Sequence, residues 1–217
     1  MFTPAFLLRV ALFGLLGLVG GYLLSNWVLS GRQDEAIAEH AEALYRAPSS
    51  FVAGNPQGDV SVVAFFDYNC PYCRAGAPEL AKLIAKDGKV RLVLKEMPVL
   101  GPDSEAVARV AQAAQAQGKY FELYEKLIGQ EGRATKERAL SLAAEIGLDR
   151  AKLEQDMASK SVESAIAENM RLASAIRVKG VPFYLVGDQK LPPNATADDF
   201  AAAVADVRQN GCRAAKC

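Results

Sequence analysis

A chain of 217 residues, 51% apolar and 23% charged, is long enough for one globular domain and an appendage. Its 25 basic and 25 acidic side chains cancel, and no Lys/Arg-rich stripe stands out, which argues against nucleic acid as a partner. Four cysteines in two close pairs suit an oxidising compartment.

From Ala5 to Leu29 the strongly polar residues are Arg9, Ser25 and Asn26, and Val10 to Leu24 has no polar interruption beyond the Tyr22 hydroxyl. A helix crosses a bilayer in about 20 residues, so residues 5–29 read as an uncleaved single-pass membrane anchor within a segment 1–30. The alternative is a signal peptide cleaved after Val28-x-Ser30; the length of the run and the lack of Ala-x-Ala stand against it. Either one exports the rest of the chain, to the periplasmic face of the inner membrane if anchored or to the soluble periplasm if cleaved. Gly17 and Gly21 have the spacing that lets two such helices pack, although glycine is common in such helices.

Residues 31–48 read as a polar, helix-prone stalk with an apolar stripe of Ile37, Ala41, Leu44 and Tyr45. That stripe can dock on the domain or pair two chains into a homo-oligomer. His40, the chain's one histidine, reads as solvated. Pro48 to Gly58 breaks the helix, with Phe51-Val52-Ala53 as a short edge strand before the Asn55-Pro56-Gln57-Gly58 turn.

The chemistry sits in the next stretch. Val60 to Phe66 is an almost unbroken apolar run, read as a buried strand, and Pro71 suits the first turn of a helix over 71–86. Asp87-Gly88 stops that helix before a strand over 90–95, giving a βαβ unit with parallel strands. Cys70 therefore falls at a helix N-terminus, where the macrodipole and unpaired amides favour a thiolate. Cys73 lies on the same face, able to close a disulfide with Cys70 or to resolve one formed with a substrate. Cys-x-x-Cys is also half of a zinc site, and Cys212 with Cys217 could supply the rest; the x4 spacing of that pair and the absence of nearby histidine argue against it. No metal or cofactor is implied.

Residues 103–176 are wholly helical in pattern, with Asp103-Ser104 as a cap, Gly118, Gly129 to Gly132 and Gly147 as breaks, and Thr135, Asp149 and Ser159 or Ser161 as further caps. No catalytic spacing occurs there. Strands return at 183–186 and near 190–191, and a helix capped by Thr196 runs to about 208. Cys212 and Cys217 close a polar tail, residues 211–217, and read as a local structural disulfide.

Phe65-Phe66-Asp67-Tyr68-Asn69-Cys70-Pro71-Tyr72-Cys73, Glu96-Met97-Pro98-Val99-Leu100-Gly101-Pro102-Asp103-Ser104 and Gly180-Val181-Pro182-Phe183 together resemble three ordered motifs of the DsbA-like thiol:disulfide oxidoreductases, nearest the copper-sensitivity-suppressor C type. The resemblance implies an α/β thioredoxin fold split by an inserted helical domain: first part 49–102, insertion 103–176, second part 177–210. It also implies a cis bond at Val181-Pro182, whose loop would lie against the cysteines and leave the residue 181 backbone to bond an extended substrate. Strong oxidants of the family carry His inside the motif where this chain has Tyr72, so a weaker oxidant is expected, mid-range between about −120 and −270 mV. Asp67 and Glu96 are the nearby acids that could shuttle protons, or else solvated strand-end carboxylates.

The expected function is an exported enzyme that forms or rearranges disulfides in cysteine-containing proteins through Cys70 and Cys73. A membrane redox partner, either a quinone-linked oxidase or a membrane reductase, would recharge it. The alternatives are an isomerase or reductase acting after self-association through the stalk, and a non-enzymatic copper-binding protein using the same thiols.

Overall fold

The computed structural model describes residues 4–212, with side chains in the N-terminal helix described at 18–22, 25 and from 28 onward. Val60–Phe66 (β2) is buried along its whole length. A strand without alternation must be covered on both faces. β2 is the middle strand of a five-stranded sheet. It runs parallel to Val90–Glu96 (β3) and antiparallel to Phe183–Val186 (β4), with Phe66 opposite Glu96 and Phe65 opposite Phe183. Phe51–Gly54 (β1) and Gln189–Leu191 (β5) are antiparallel edges. Because successive side chains point to opposite faces, Val62, Ala64, Phe66, Leu92 and Leu94 join a core with Pro71–Lys86 (α3) and the inserted helices, while Val63, Phe65, Val93 and Leu185 join a second core behind the sheet.

The insertion comprises Pro102–Ala114 (α4), Tyr120–Gly129 (α5), Lys136–Glu145 (α6), Arg150–Asp156 (α7) and Lys160–Ala175 (α8). Thr135, Asp149 and Ser159 cap the last three by accepting backbone N–H bonds from Arg138, Lys152 and Val162, each worth about 1 kcal/mol. The cap of α4 differs from the sequence reading. That helix starts at Pro102 behind Gly101, whose φ of 104° lies in the region that favours glycine, and Ser104 is buried because its hydroxyl is used elsewhere. Ala197–Asn210 (α9) ends the domain with a capping box of Thr196 and Asp199.

Ahead of the sheet run Pro4–Glu39 (α1, 36 residues) and Ala41–Tyr45 (α2). The stalk stripe docks on its own domain: Ile37, Leu44 and Tyr45 are buried in the second core against Val63, Phe65, Val93, Ile176 and Leu185. Burying one such side chain is worth roughly 1.5–3 kcal/mol. Polar ties reinforce it, with Tyr45 Oη donating to the Gly187 carbonyl at 2.9 Å and Gln33 Nε2 to that of Ile176 at 3.0 Å. From beneath, the buried Lys95 Nζ donates to Ala43 O at 3.0 Å and Ser50 Oγ at 2.6 Å. Among the described residues no helix is long and apolar enough to cross a membrane. The anchor read over 5–29 falls largely on residues whose side chains lie outside that description, and Leu18, Val19, Tyr22, Val28 and Leu29 are exposed.

Candidate active site

The turn leaving β2 delivers Cys70 to the N-cap of α3, and Pro71 gives up no hydrogen bond at the first helical position. Cys70 Sγ accepts the backbone N–H of Cys73 at 3.4 Å and donates to the Val181 carbonyl at 3.4 Å. Both cysteines are free thiols and both are buried. Burial pushes the Cys73 thiol well up, a backbone hydrogen bond at Asp67 offsetting part of the effect. The two sulfurs are therefore unequal in place: Cys70 caps the helix and meets a backbone carbonyl, while Cys73 lies in the first turn with its thiol pushed up by burial.

The loop carrying the motif is braced from three sides. Asp67 is buried, its Oδ1 accepting from Asn69 N at 2.8 Å and Ser104 Oγ at 2.7 Å, its Oδ2 from Val99 N at 2.9 Å and Leu100 N at 3.0 Å. A solvated strand-end carboxylate is thus not what the chain has here. Asn69 pairs with the backbone of Ala134 through both ends of its amide, at 2.7 and 3.0 Å. Arg74 donates to the carbonyls of Tyr68, Gln130 and Gly132 at 2.7, 2.9 and 2.6 Å, fastening the active-site helix to the insertion.

Glu96, at the end of β3, is also buried, inside a polar cage. Tyr120 Oη donates to its Oε1 at 2.7 Å, Tyr68 Oη at 3.4 Å, and Gln112 Nε2 to its Oε2. Burial raises this carboxyl to about 7, with the hydrogen bonds from Tyr120 and Gln112 opposing the rise. Tyr124 stacks on Tyr120 with ring centroids 6.5 Å apart; burial pushes its hydroxyl up, and Tyr184 and Cys73 add to the rise.

On the far side the Val181-Pro182 bond is cis, Pro182 is buried and Val181 half-buried. Tyr184 reaches α3 at Gly76, where a Cβ would lie 2.2 Å from its hydroxyl oxygen; burial pushes that hydroxyl up, and Cys73 and Cys70 add to the rise. Tyr72, Val99 and Leu100 form an exposed apolar rim.

A family model for a DSBA-like thioredoxin domain matches residues 61–205, two thirds of the chain. The chain belongs to the DSBA-like thioredoxin domain family. The crystal structure of a thioredoxin-like oxidoreductase from Silicibacter pomeroyi DSS-3 is similar at 41% identity and a TM-score of 0.75, covering 77% of this chain and 97% of that one. The thiol:disulfide interchange protein DsbA of Bordetella pertussis is 27% identical over 158 residues, 70% of this chain and 75% of the relative. A linker-deletion variant of Proteus mirabilis ScsC shares the fold, with a TM-score of 0.80 at 20% identity over 96% of this chain and 97% of that one. The chain also matches two Na(+)/H(+) antiporters of Salinispora, of whose length it spans under a quarter, 24% and 22%.

Within this DSBA-like domain, the residues to which the sequence assigned no role in the site are the braces and the cage: Asn69, Arg74, Ser104, Gln112 and Tyr120. Asn69 and Arg74 flank the motif and Ser104 closes the second motif, so proximity in sequence was their available signal. Gln112 and Tyr120 had none. Cys212 is disulfide-bonded; Cys217, the other half of the expected pair, lies outside the described residues. Among the described residues no group of three or more His, Cys, Asp or Glu is placed to hold a metal ion.

Proposed function

We propose that this DSBA-like chain is an exported thiol:disulfide oxidoreductase that forms or rearranges disulfides in cysteine-containing proteins. The observation that carries the reading is the placement of the two buried sulfurs: Cys70 caps the helix and meets Val181 O, and Cys73 sits in the first turn with its thiol pushed up. In the oxidised enzyme a substrate thiolate attacks Cys70 Sγ, the 70–73 bond breaks, and Cys73 Sγ leaves with the electron pair and takes a proton. A second substrate thiolate then attacks its own sulfur in the mixed disulfide and releases Cys70 as thiolate; the substrate is oxidised by two electrons and the enzyme reduced. In the rearranging direction the reduced Cys70 attacks a substrate disulfide, and Cys73 resolves the adduct if the substrate does not. Asp67 and Glu96 are the two acids we keep as candidate proton shuttles: Asp67 is the one that acts directly on Cys73, and Glu96, raised to about 7 by burial, has the protonation state that changes near neutral pH. Val181 and Pro182 line the groove for the substrate backbone.

We further infer that residues 5–29 tether the domain to the periplasmic face of the inner membrane, where a membrane redox partner recharges the 70–73 pair. The apolar run and the exposed Leu18, Val19, Tyr22, Val28 and Leu29 support this reading. The stalk stripe is occupied by the domain's own core, so this reading does not call on self-association through it. Insulin reduction and reoxidation of a reduced test protein check the enzyme reading: alkylating Cys70 should abolish both. Retention of stoichiometric copper with no turnover would favour metal binding, and carbonate extraction of membranes separates a tether from a cleaved leader.

A further inference from the structure

We propose that the mouth of this site selects extended segments whose cysteine is flanked by acidic residues; the inference rests on the exchange activity proposed above and adds the substrate class. The surroundings of Cys70 divide into an apolar part and a cationic part. Tyr72, Val99 and Leu100, exposed by 65, 42 and 41%, are the apolar part, and the amides of Val99 and Leu100 are pinned by the same carboxylate that holds Asn69. The cationic part is the loop between α8 and Val181. Arg177 and Lys179 are both exposed there.

The carbonyl that meets Cys70 Sγ at 3.4 Å belongs to Val181, the second residue after Lys179. Consecutive Cα atoms lie about 3.8 Å apart, so the Lys179 Cα is within about 8 Å of that of Val181. The loop is held in place, with Val178 N donating to Ala173 O at 2.8 Å and Arg177 N to Ser174 O at 3.0 Å. Among the described residues neither Arg177 nor Lys179 is in an ion pair. Arg74 adds a third cation whose hydrogen bonds all go to neutral backbone carbonyls.

The carboxylates nearby do not balance this charge. Asp67 and Glu96 are buried and hydrogen-bonded, and Asp103 is paired with Arg133 at 2.6 Å. Among the described residues Glu35, on the stalk helix whose Gln33 meets the Arg177 carbonyl, and Glu131, on the loop that Arg74 holds, are exposed acids set against this charge, two against three cations. At moderate salt such charges act over about 8–10 Å, the reach of the residues flanking a bound cysteine. Their effect should appear in the rate at which substrates arrive more than in the chemistry of exchange.

The test uses the oxidised full chain and three peptides with a central cysteine flanked on both sides by Glu, Gln or Lys. The second-order rate of mixed-disulfide formation is measured, each value divided by that peptide's rate with 2-hydroxyethyl disulfide to remove differences in thiol ionisation. At low ionic strength the Glu peptide should react about tenfold faster than the Lys peptide, falling below about twofold at 0.5 M salt. Lys179→Glu, at an exposed position, should lower or invert the preference, with an unchanged melting temperature as the folding control. Equal normalised rates at low salt, or a preference that survives both Lys179→Glu and high salt, would overturn the inference. If no peptide reacts, the exchange activity itself fails; if all react alike, only the charge selection does.

Discussion

Replacing Glu96 by Gln should make stability less dependent on pH. In the wild type the carboxyl titrates at about 7 instead of the ordinary 4.5, because burial outweighs the bonds it accepts from Tyr120 and Gln112. Between these values the unfolded chain has released a proton that the folded chain keeps, so stability falls as pH rises from 4.5 through 7. At about 1.4 kcal/mol per pH unit the loss is about 3 kcal/mol by pH 8. The Gln variant carries no such proton. Urea unfolding of both proteins, with the active-site cysteines reduced, should show the variant gaining on the wild type by about 2–3 kcal/mol between pH 5 and pH 8. A difference that stays flat across this range would refute the reasoning and remove Glu96 from the proton account.

Three further changes test the scaffold. Asp67→Asn turns one oxygen into a donor facing backbone N–H groups or the Ser104 hydroxyl, and should cost about 2–3 kcal/mol in urea unfolding. Gly76→Ala should destabilise by about 1–3 kcal/mol, because the new methyl falls 2.2 Å from the Tyr184 hydroxyl oxygen; adding Tyr184→Phe removes that atom and should restore most of the loss in melting temperature. Leu44→Ala should cost about 2–5 kcal/mol if the stalk is part of the core, whereas a free stalk would leave the unfolding midpoint unchanged.

The strand over 60–66 and helix over 71–86 were legible because an unbroken apolar run and a proline at the first helical position are local signals. The cis bond at Val181-Pro182 was not: nothing in those residues distinguishes it from a trans bond, and only the resemblance carried it. The cap of α4 was misplaced for a related reason, since Ser104 has the chemistry of a cap but spends its hydroxyl on Asp67, 37 positions earlier. For Asp67 and Glu96 the sequence leaves a proton shuttle and a solvated strand-end carboxylate equally open, because the groups that cover them come from the insertion and from the loop after β3. The stalk stripe was visible as a pattern, yet its partner, the back of the sheet around Val63, Phe65 and Leu185, is a product of tertiary structure. Periodicity reveals that a face will be buried, not what buries it.

The division of labour between the two sulfurs is tested most directly by offering a peptide disulfide to the reduced Cys73→Ala and Cys70→Ala variants and mapping the adducts by mass spectrometry over time. Cys73→Ala should accumulate a stable mixed disulfide at Cys70, and Cys70→Ala should stay unmodified over the same interval. Modification of Cys73 at a comparable rate in the Cys70→Ala protein would contradict the account.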